Sequence, residues 1–172
     1  MVITNLNSLT SKIFEEIQKG KQLSQLSHLL KQYNGNDWSQ YVNFSSDNYF
    51  KKLVHQNSYF DLFIISWKKG QKTKIHDHPI NGCLMKVLDG QLNENIYKFD
   101  PLGCNPYPQR DLPCGQGDHP CPNLTHTDTN ILSIGHIGYK ESNMILHEIY
   151  SPINSVSLHI YSPSGYQAKC YN

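Results

Sequence analysis

The segment from Gly70 to Gly90, GQKTKIHDHPINGCLMKVLDG, restricts the fold more than any other part of the chain. Its two histidines, His76 and His78, are two residues apart, and side chains at positions i and i+2 of a β-strand point to the same face. The strand pattern resumes after a break rich in turn-forming residues and ends at Asp89-Gly90. An Asp-Gly pair favours a tight hairpin turn because both residues tolerate positive φ. We therefore expect half of a metal site in a small β-barrel, with a hairpin whose return strand is 91–99.

The length and charge of the chain exclude several classes of protein. A chain of 172 residues can bury a substantial core, and we expect a single domain over 1–172. The net charge is +1 with the histidines counted as neutral, which provides no basic surface for nucleic acid or an anionic membrane. No apolar run is long enough to span a bilayer, and the first residues lack the pattern of a signal peptide. We expect a cytoplasmic monomer without nucleic-acid or membrane partners.

Two apolar-periodic stretches predict a helical N-terminal part over 1–36. The first keeps a spacing of three to four residues and stops at Gly20, and the second reaches Asn34-Gly35. The run 59–67, YFDLFIISW, is too short for a typical helix and is rich in aromatic and β-branched residues. We expect this run to form a strand that is buried on both faces.

The segment 100–130 differs in character from the rest of the chain. It is rich in proline and has almost no apolar periodicity, which is typical of a long loop or surface insertion. Its three cysteines lack the spacing of a zinc site, so we expect free thiols. Beyond it, short strand-like runs separated by turn residues, the last over 156–162, predict an all-β barrel or double-sheet jelly roll.

A metal site built on the histidine pair needs a third ligand. His147, in GYKESNMILHEIYS, is the natural candidate, and His136 is a rival on spacing alone. Three neutral imidazoles with open positions suit zinc, copper, nickel or ferrous iron on ligand type. A dication held only by neutral ligands keeps its full charge, and this favours an anionic substrate such as a thiolate without excluding zinc.

Alternation along SVSLHIY separates two faces of a strand near the C-terminal end. Ser157, His159 and Tyr161 point to one face, and the apolar residues between them point to the other. In a strand that is mostly buried, a polar face implies an internal cavity with hydrogen-bonded groups. A half-exposed strand is the alternative, and the histidine pair favours the cavity.

These motifs in combination resemble cysteine dioxygenase of the mammalian type, a family of the cupin superfamily. The segment 70–90 follows the first cupin motif, G-x5-H-x-H-x4-E-x6-G, with Cys83 where most cupins have glutamate. MKVLDGxL and then LH before SLHIYSP complete the resemblance, which covers about residues 40–165. It implies a cupin jelly roll with short N-terminal helices and an iron-dependent dioxygenase of cysteine catabolism.

The resemblance also implies a role for each candidate residue. One Fe(II) per chain would be bound by three histidines, His76, His78 and His147. A thioether cross-link would join Cys83 to Tyr161, and two relay residues, Ser157 and His159, would orient the tyrosine hydroxyl. Ser162-Pro163 corresponds to the cis-proline step of the family.

The expected substrate follows from the same resemblance. The family holds the substrate carboxylate with an arginine just after a tyrosine, and the matching residues here are Tyr49 and Lys51. The implied reaction is oxidation of L-cysteine by O2 to cysteine sulfinate. A lysine offers a mobile point charge in place of a rigid bidentate fork, so a dioxygenase of another small thiol such as 3-mercaptopropionate is an alternative. A non-catalytic metal-binding cupin module and a zinc hydrolase or isomerase are the others.

Overall fold

In the computed structural model, which describes residues 2–99, 124–141 and 145–171, the chain forms two antiparallel β-sheets preceded by helices. The helices are α1 (Leu6–Gln18) and α2 (Ser27–Gln32), with 3₁₀ helices at Leu23–Leu26 and Asp37–Tyr41. The strands are β1 (Phe50–Gln56), β2 (Asp61–Trp67), β3 (Ile75–His76), β4 (Cys83–Asp89), β5 (Gln91–Phe99), β6 (Leu124–Ser133), β7 (Ile137–Lys140), β8 (Leu146–Tyr150), β9 (Ser155–Tyr161) and β10 (Cys170–Tyr171). No helix in these ranges is both long enough and apolar enough to cross a bilayer.

Each sheet contains five strands. The strand order is β1-β2-β9-β4-β7 in the first sheet and β10-β3-β8-β5-β6 in the second. The chain crosses repeatedly from one sheet to the other, and apolar residues from both sheets form a shared core between them. This is the arrangement of a double-sheet jelly roll, so the prediction of an all-β fold with short N-terminal helices is confirmed.

The N-terminal helices cover the outer face of the first sheet. Asn5 begins α1 by accepting a hydrogen bond from the N–H of Ser8 (2.8 Å), and apolar side chains spaced three to four residues apart bury one side of the helix. That side packs on residues of the sheet that point away from the second sheet, such as Ile64, Leu84 and Leu158. The helical layer therefore buries the outer face of the central strands β2, β9 and β4.

Strands β2 and β9 show burial on both faces most clearly. Six of the seven residues are buried in each strand, which confirms a buried strand within 59–67, although the strand begins at Asp61 and Tyr59 is exposed. In β9 the residues that face the helices are apolar, whereas Ser157, His159 and Tyr161 face the second sheet. The predicted polar face of β9 is thus an internal one.

The prediction of a hairpin at Asp89-Gly90 is wrong. Strand β4 pairs with β7 and β9, and β5 pairs with β6 and β8, so the turn carries the chain from the first sheet to the second. Gly90 does have a positive φ of 74°, and a Cβ there would lie 2.4 Å from the carbonyl oxygen of Asn154. The Asp-Gly pair indicated the geometry of the turn, but a turn alone does not determine whether its flanking strands pair or diverge.

The predicted loop at 100–130 is also too long. Residues 100–123, which include its three cysteines, lie outside the described part of the chain, but 124–130 belong to β6 and pair with β5. Strand β6 is at the edge of its sheet, and most of its side chains are exposed. An edge strand with polar residues on both faces has no hydrophobic alternation, so its pattern is difficult to distinguish from that of a loop.

Lys86 links the helical layer to the first sheet through hydrogen bonds. Its side chain leaves β4 toward the helices, and Nζ donates hydrogen bonds to the carbonyls of Leu30 (2.9 Å) and Tyr33 at the end of α2. The last carbonyls of a helix have no partner within the helix and carry partial negative charge, so a cation is favourable there.

We expect the Lys86→Met variant to lose this connection. Hydrogen bonds to a charged group contribute about 1.5–3 kcal/mol, so its free energy of unfolding should fall by about that amount in urea denaturation. Lys52→Met is the matched control, because Lys52 is exposed on β1 and should change stability by less than about 0.5 kcal/mol. Equal losses in the two variants would contradict this role for Lys86.

Candidate metal centre

Three histidines converge between the sheets. His76 lies in β3 and is the direct cross-strand partner of His147 in β8, while His78 follows β3. One ring nitrogen from each histidine lies within 4.8 Å of the other two. The rival candidate His136 is exposed in the turn between β6 and β7 and is not part of this cluster. The structure therefore brings together the three histidines that the sequence suggested.

Two hydrogen bonds determine which nitrogen of His76 and which nitrogen of His147 faces the centre. Nδ1 of His76 donates to the carbonyl of Lys74 (2.9 Å), and Nδ1 of His147 donates to Oε1 of Glu94 (2.7 Å). A neutral imidazole with its proton on Nδ1 has a lone pair on Nε2. The Nε2 atoms of His76 and His147 are 3.2 Å apart, so two lone pairs face each other. A cation bound by both nitrogens removes this repulsion.

Burial keeps the rings of His76 and His78 neutral. It lowers the pKa of His76 to about 4, with the neighbouring His147 as the second cause, and it also lowers the pKa of His78. Nδ1 of His78 is buried and has no hydrogen-bond partner in the part of the chain that the structure describes. Neutral imidazoles with available lone pairs are common ligands of divalent transition metals. The donor set therefore fits such a metal ion.

Glu94 is a part of the site that the sequence analysis missed. It lies on β5, is 2% exposed, and joins His147 through Oε1 and Nζ of Lys140 through Oε2 (2.8 Å). Burial alone would raise the pKa of Glu94, but the hydrogen bonds from His147 and Lys140 outweigh it and lower the pKa to about 2. A signal was available in the sequence, because Glu94 is two residues from the apolar Leu92 and from the apolar Ile96 and so shares their inward face of the strand.

A cavity of about 540 Å³ opens beside the three histidines. Small-molecule sites typically have volumes of roughly 300–1,000 Å³, so a small substrate fits. Most of the other predicted site residues lie on its wall: Tyr49, Lys51, Cys83, His159 and Tyr161. Ser157 lies behind His159 and reaches the cavity only through it.

A buried hydrogen-bond chain runs along β9 toward the cavity. Nε1 of Trp67 donates to Oγ of Ser157 (2.9 Å), and the same Oγ is 2.9 Å from Nε2 of His159. The indole is only a donor, so the Ser157 proton is free to go to Nε2, which leaves the His159 proton on Nδ1. That nitrogen faces the Tyr161 hydroxyl at 3.5 Å. Burial lowers the pKa of His159, so the ring is neutral, and Trp67 is a further residue that sequence reasoning missed.

Cys83 and Tyr161 are neighbours on adjacent strands. They are direct cross-strand partners in the β4–β9 pairing, and Sγ of Cys83 is also 3.8 Å from Nδ1 of His159. Cross-strand partners have Cβ atoms about 4.5–5.5 Å apart, which is within reach of a bond between their side chains. Burial raises the pKa of Cys83 to about 12 and raises the pKa of Tyr161, so both groups are protonated at neutral pH.

Lys51 is an exposed residue of β1, but its side chain lines the cavity. Its Nζ lies 4.1 Å from the centroid of the Phe63 ring and 4.3 Å from that of Tyr161. Desolvation of the ammonium group lowers the pKa of Lys51. Tyr49 stacks on Trp67 with ring centroids 4.8 Å apart, and both rings line the cavity. The two residues predicted to bind substrate are therefore on the wall of the cavity that also holds Tyr161.

The C-terminal segment closes one side of the cavity. Strand β10 pairs with β3, the strand of His76, and Asp77 accepts hydrogen bonds from the Tyr166 hydroxyl and from the N–H of Lys169 (2.8 Å). Asp77 lies between the two histidines of the pair and is 5% exposed. The segment begins with the Ser162–Pro163 peptide, which is cis. These contacts hold the strand that carries the histidine pair.

The double-sheet fold and the buried three-histidine centre define a metal-binding cupin. A family model described as "Cysteine dioxygenase type I" matches residues 4–172. The chain belongs to the cysteine dioxygenase type I family.

Curated relatives agree with this assignment. The protein named Cysteine dioxygenase type 1 from Danio rerio is 28% identical over 82% of this chain and 65% of its own length. The proteins of the same name from Rattus norvegicus and Homo sapiens are both 27% identical, over 88% and 74% of this chain and 72% and 57% of their own lengths. The chain thus spans about two thirds of the Danio rerio relative.

Two solved structures share the fold. A conserved protein of unknown function from Streptococcus pyogenes is 16% identical, with a TM-score of 0.50 over 76% of this chain and 87% of its own. A protein from Klebsiella pneumoniae, described as having a double-stranded β-helix domain, is 15% identical, with a TM-score of 0.51 over 78% of this chain and 88% of its own. At such low identity they support the fold alone.

We expect metal binding to stabilise the protein through His147 and not through His136. A metal ion at 100 times its dissociation constant should add about 2.7 kcal/mol, which would appear as a rise in the midpoint of thermal unfolding with Co(II) or anaerobic Fe(II). His147→Ala should lose most of this rise, whereas His136→Ala should retain it. The reverse result would show that the third ligand is His136.

Proposed function

We propose that this protein is an Fe(II)-dependent thiol dioxygenase that oxidises L-cysteine with O2 to cysteine sulfinate. The observation that carries the proposal is the placement of the Cys83–Tyr161 pair and Lys51 on the wall of the cavity that holds the three-histidine centre. The membership of the chain in the cysteine dioxygenase type I family supports the same reaction. The product is a sulfinate, in which the substrate sulfur has gained both atoms of O2.

We assign the metal ligands to His76, His78 and His147. No carboxylate of the described residues joins this cluster, so a bound dication keeps its full charge. That charge favours an anionic thiolate, which a carboxylate ligand would partly oppose. Bound iron would supply the positions at which thiolate and O2 meet for oxygen transfer to sulfur.

We assign recognition of the substrate carboxylate to Lys51. The chain has one arginine, Arg110, which lies outside the described residues, and Lys51 places its ammonium against the rings of Phe63 and Tyr161 inside the cavity. Lysine binds a carboxylate as a point charge without the bidentate geometry of arginine. The presence of lysine where the family has arginine also favours the second candidate, a dioxygenase of another small thiol such as 3-mercaptopropionate. A single ammonium group holds a carboxylate less rigidly than a guanidinium group, so it discriminates less between thiols that carry a carboxylate.

The remaining residues orient a proton donor toward the substrate. His159 donates from Nδ1 toward the Tyr161 oxygen, so the tyrosine can direct its own proton into the cavity. Ser157 and Trp67 hold the His159 ring in the required tautomer. The high pKa of Tyr161 keeps that proton on the hydroxyl at neutral pH. We therefore propose Tyr161 as a catalytic residue and the residues behind it as positioning residues.

Oxygen uptake is the direct test of the proposed reaction. Fe(II)-loaded protein should consume O2 with L-cysteine and form cysteine sulfinate, followed by NMR, with 3-mercaptopropionate and cysteamine as comparison thiols. Uptake with 3-mercaptopropionate alone would identify that thiol as the substrate and would leave the assignment of the metal site unchanged. If protein shown to contain iron consumed no O2 with any of these thiols, a non-catalytic metal-binding module would be favoured. Metal analysis is a separate check: zinc in protein purified without added metal would favour a hydrolase or isomerase.

The Lys51→Met variant should bind cysteine less well. Loss of a charge-assisted hydrogen bond costs about 1.5–3 kcal/mol, so KM for cysteine should rise by roughly tenfold or more while Lys51→Arg keeps it low. Cysteamine has no carboxylate, so its kinetics should be nearly the same in all three proteins. Lys52→Met serves as the surface control. An equal loss with cysteine and cysteamine would show that Lys51 supports Tyr161 and does not bind the carboxylate.

We further propose that Cys83 and Tyr161 become covalently linked during turnover. Sγ of Cys83 would bond to a ring carbon of Tyr161, the thiol and the ring would each lose one hydrogen atom, and O2 would be reduced. After exposure to Fe(II), cysteine and air, tryptic mass spectrometry should find the two peptides joined with loss of two hydrogens. Cys83→Ala and Tyr161→Phe should each abolish the joined species. Unlinked peptides after many turnovers would refute the proposed cross-link, but they would not contradict the proposed dioxygenase reaction.

A further inference from the structure

We infer that Glu94 and Lys140 are positioning residues for His147. Their ion pair holds the imidazole in the tautomer that a metal requires and cancels the charge that Glu94 would otherwise bring to the centre. The inference rests on the metal site of the proposed function, but neither residue was indicated by the sequence motifs.

The geometry connects the two sheets through the site. His147 lies on β8 and Glu94 on the adjacent strand β5 of the second sheet, whereas Lys140 lies on β7 at the edge of the first sheet. Oε1 of Glu94 accepts from Nδ1 of His147 at 2.7 Å, and Oε2 is 2.8 Å from Nζ of Lys140. The side chains of Glu94 and Lys140 are 2% and 18% exposed, so the pair spans the interior.

The two oxygens of Glu94 therefore have separate tasks. A carboxylate that accepts from the outer nitrogen of a ligand histidine fixes its tautomer and makes the ring a stronger ligand. A buried carboxylate with no cation beside it is costly, and it would also add a negative charge next to the metal. Lys140 offsets both effects, because it neutralises Glu94 through the oxygen that does not face His147. Three neutral ligands and a neutral outer pair then leave the charge of the dication available to an anionic substrate.

A second ion pair nearby provides a matched control. Nζ of Lys72 lies 2.9 Å from Oε2 of Glu148, the residue that directly follows His147 in β8. The Glu148 side chain points to the opposite face of the strand from His147, and its hydrogen bonds go to Lys72 and Asn95. The two pairs are similar in chemistry and distance, yet one is bonded to the metal-binding histidine and the other is not.

The test is the metal affinity of four proteins: wild type, Glu94→Gln, Lys140→Met and the double variant. Anaerobic Fe(II) or Co(II) would be titrated into each in competition with a chromophoric chelator. We expect Glu94→Gln to weaken metal binding by about 10–100-fold, the usual effect of removing such an outer partner. Glu148→Gln and Lys72→Met should leave the affinity unchanged.

The sign of the Lys140 effect separates a positioning role from a simple charge effect. If Lys140 holds Glu94 in place, Lys140→Met weakens metal binding in the wild-type background and fails to weaken it when Glu94 is already glutamine. If Lys140 acts only as a nearby cation, its removal strengthens metal binding in both backgrounds, and the inference is overturned.

A measurement on the wild-type apoprotein avoids any variant that fails to fold. With ¹⁵N-labelled histidine, NMR should show His147 with its proton on Nδ1. A proton on Nε2 of His147 in the wild type would contradict the inference directly. A wild-type protein that binds no metal would refute the proposed function itself, whereas unchanged affinity in Glu94→Gln would refute only the role of Glu94 and Lys140.

Discussion

The pairing of β9 with β2 and β4 determines where the functional side chains of the first sheet lie. Strand β9 is buried on both faces, and its side chains alternate between them. One set packs on the helices, and the other set faces the cavity. The register places Cys83 opposite Tyr161 and Phe63 opposite His159. A shift of one residue would exchange the two faces, bury polar groups under the helices and remove the hydrogen-bond chain from the cavity.

Buried polar groups of the site are organised in short connected chains. One chain runs from Trp67 through Ser157 and His159 to Tyr161, and another runs from Lys140 through Glu94 to His147. Each ends on a group that faces the cavity. A buried polar atom without a partner costs free energy, so these chains serve stability and also fix tautomers. Nδ1 of His78 is the exception, because it is buried and has no hydrogen-bond partner among the described residues.

The structure differs from the sequence-based predictions at the turn after β4 and at the start of β6. Local sequence indicated a positive φ at Gly90, and this is correct, but the turn joins two sheets where a hairpin was expected. The start of β6 was assigned to a loop because an exposed edge strand carries no apolar period. Glu94 and Trp67 were missed for a different reason: each acts through a partner that is distant in sequence, Glu94 through His147 and Trp67 through Ser157.

The sequence by itself determined the class of fold, the pairing of His76 with His78 on one side of the chain and the polar face of β9, because period-two alternation and short motif spacings are local properties of the chain. Tertiary structure decided which strands pair, that His147 and not His136 joins His76 and His78, and that Lys51 enters the cavity. It also decided the partnership of Lys140 with Glu94 across the two sheets. These facts depend on residues that lie far apart in the chain, and only the packing of one sheet on the other brings them within bonding distance.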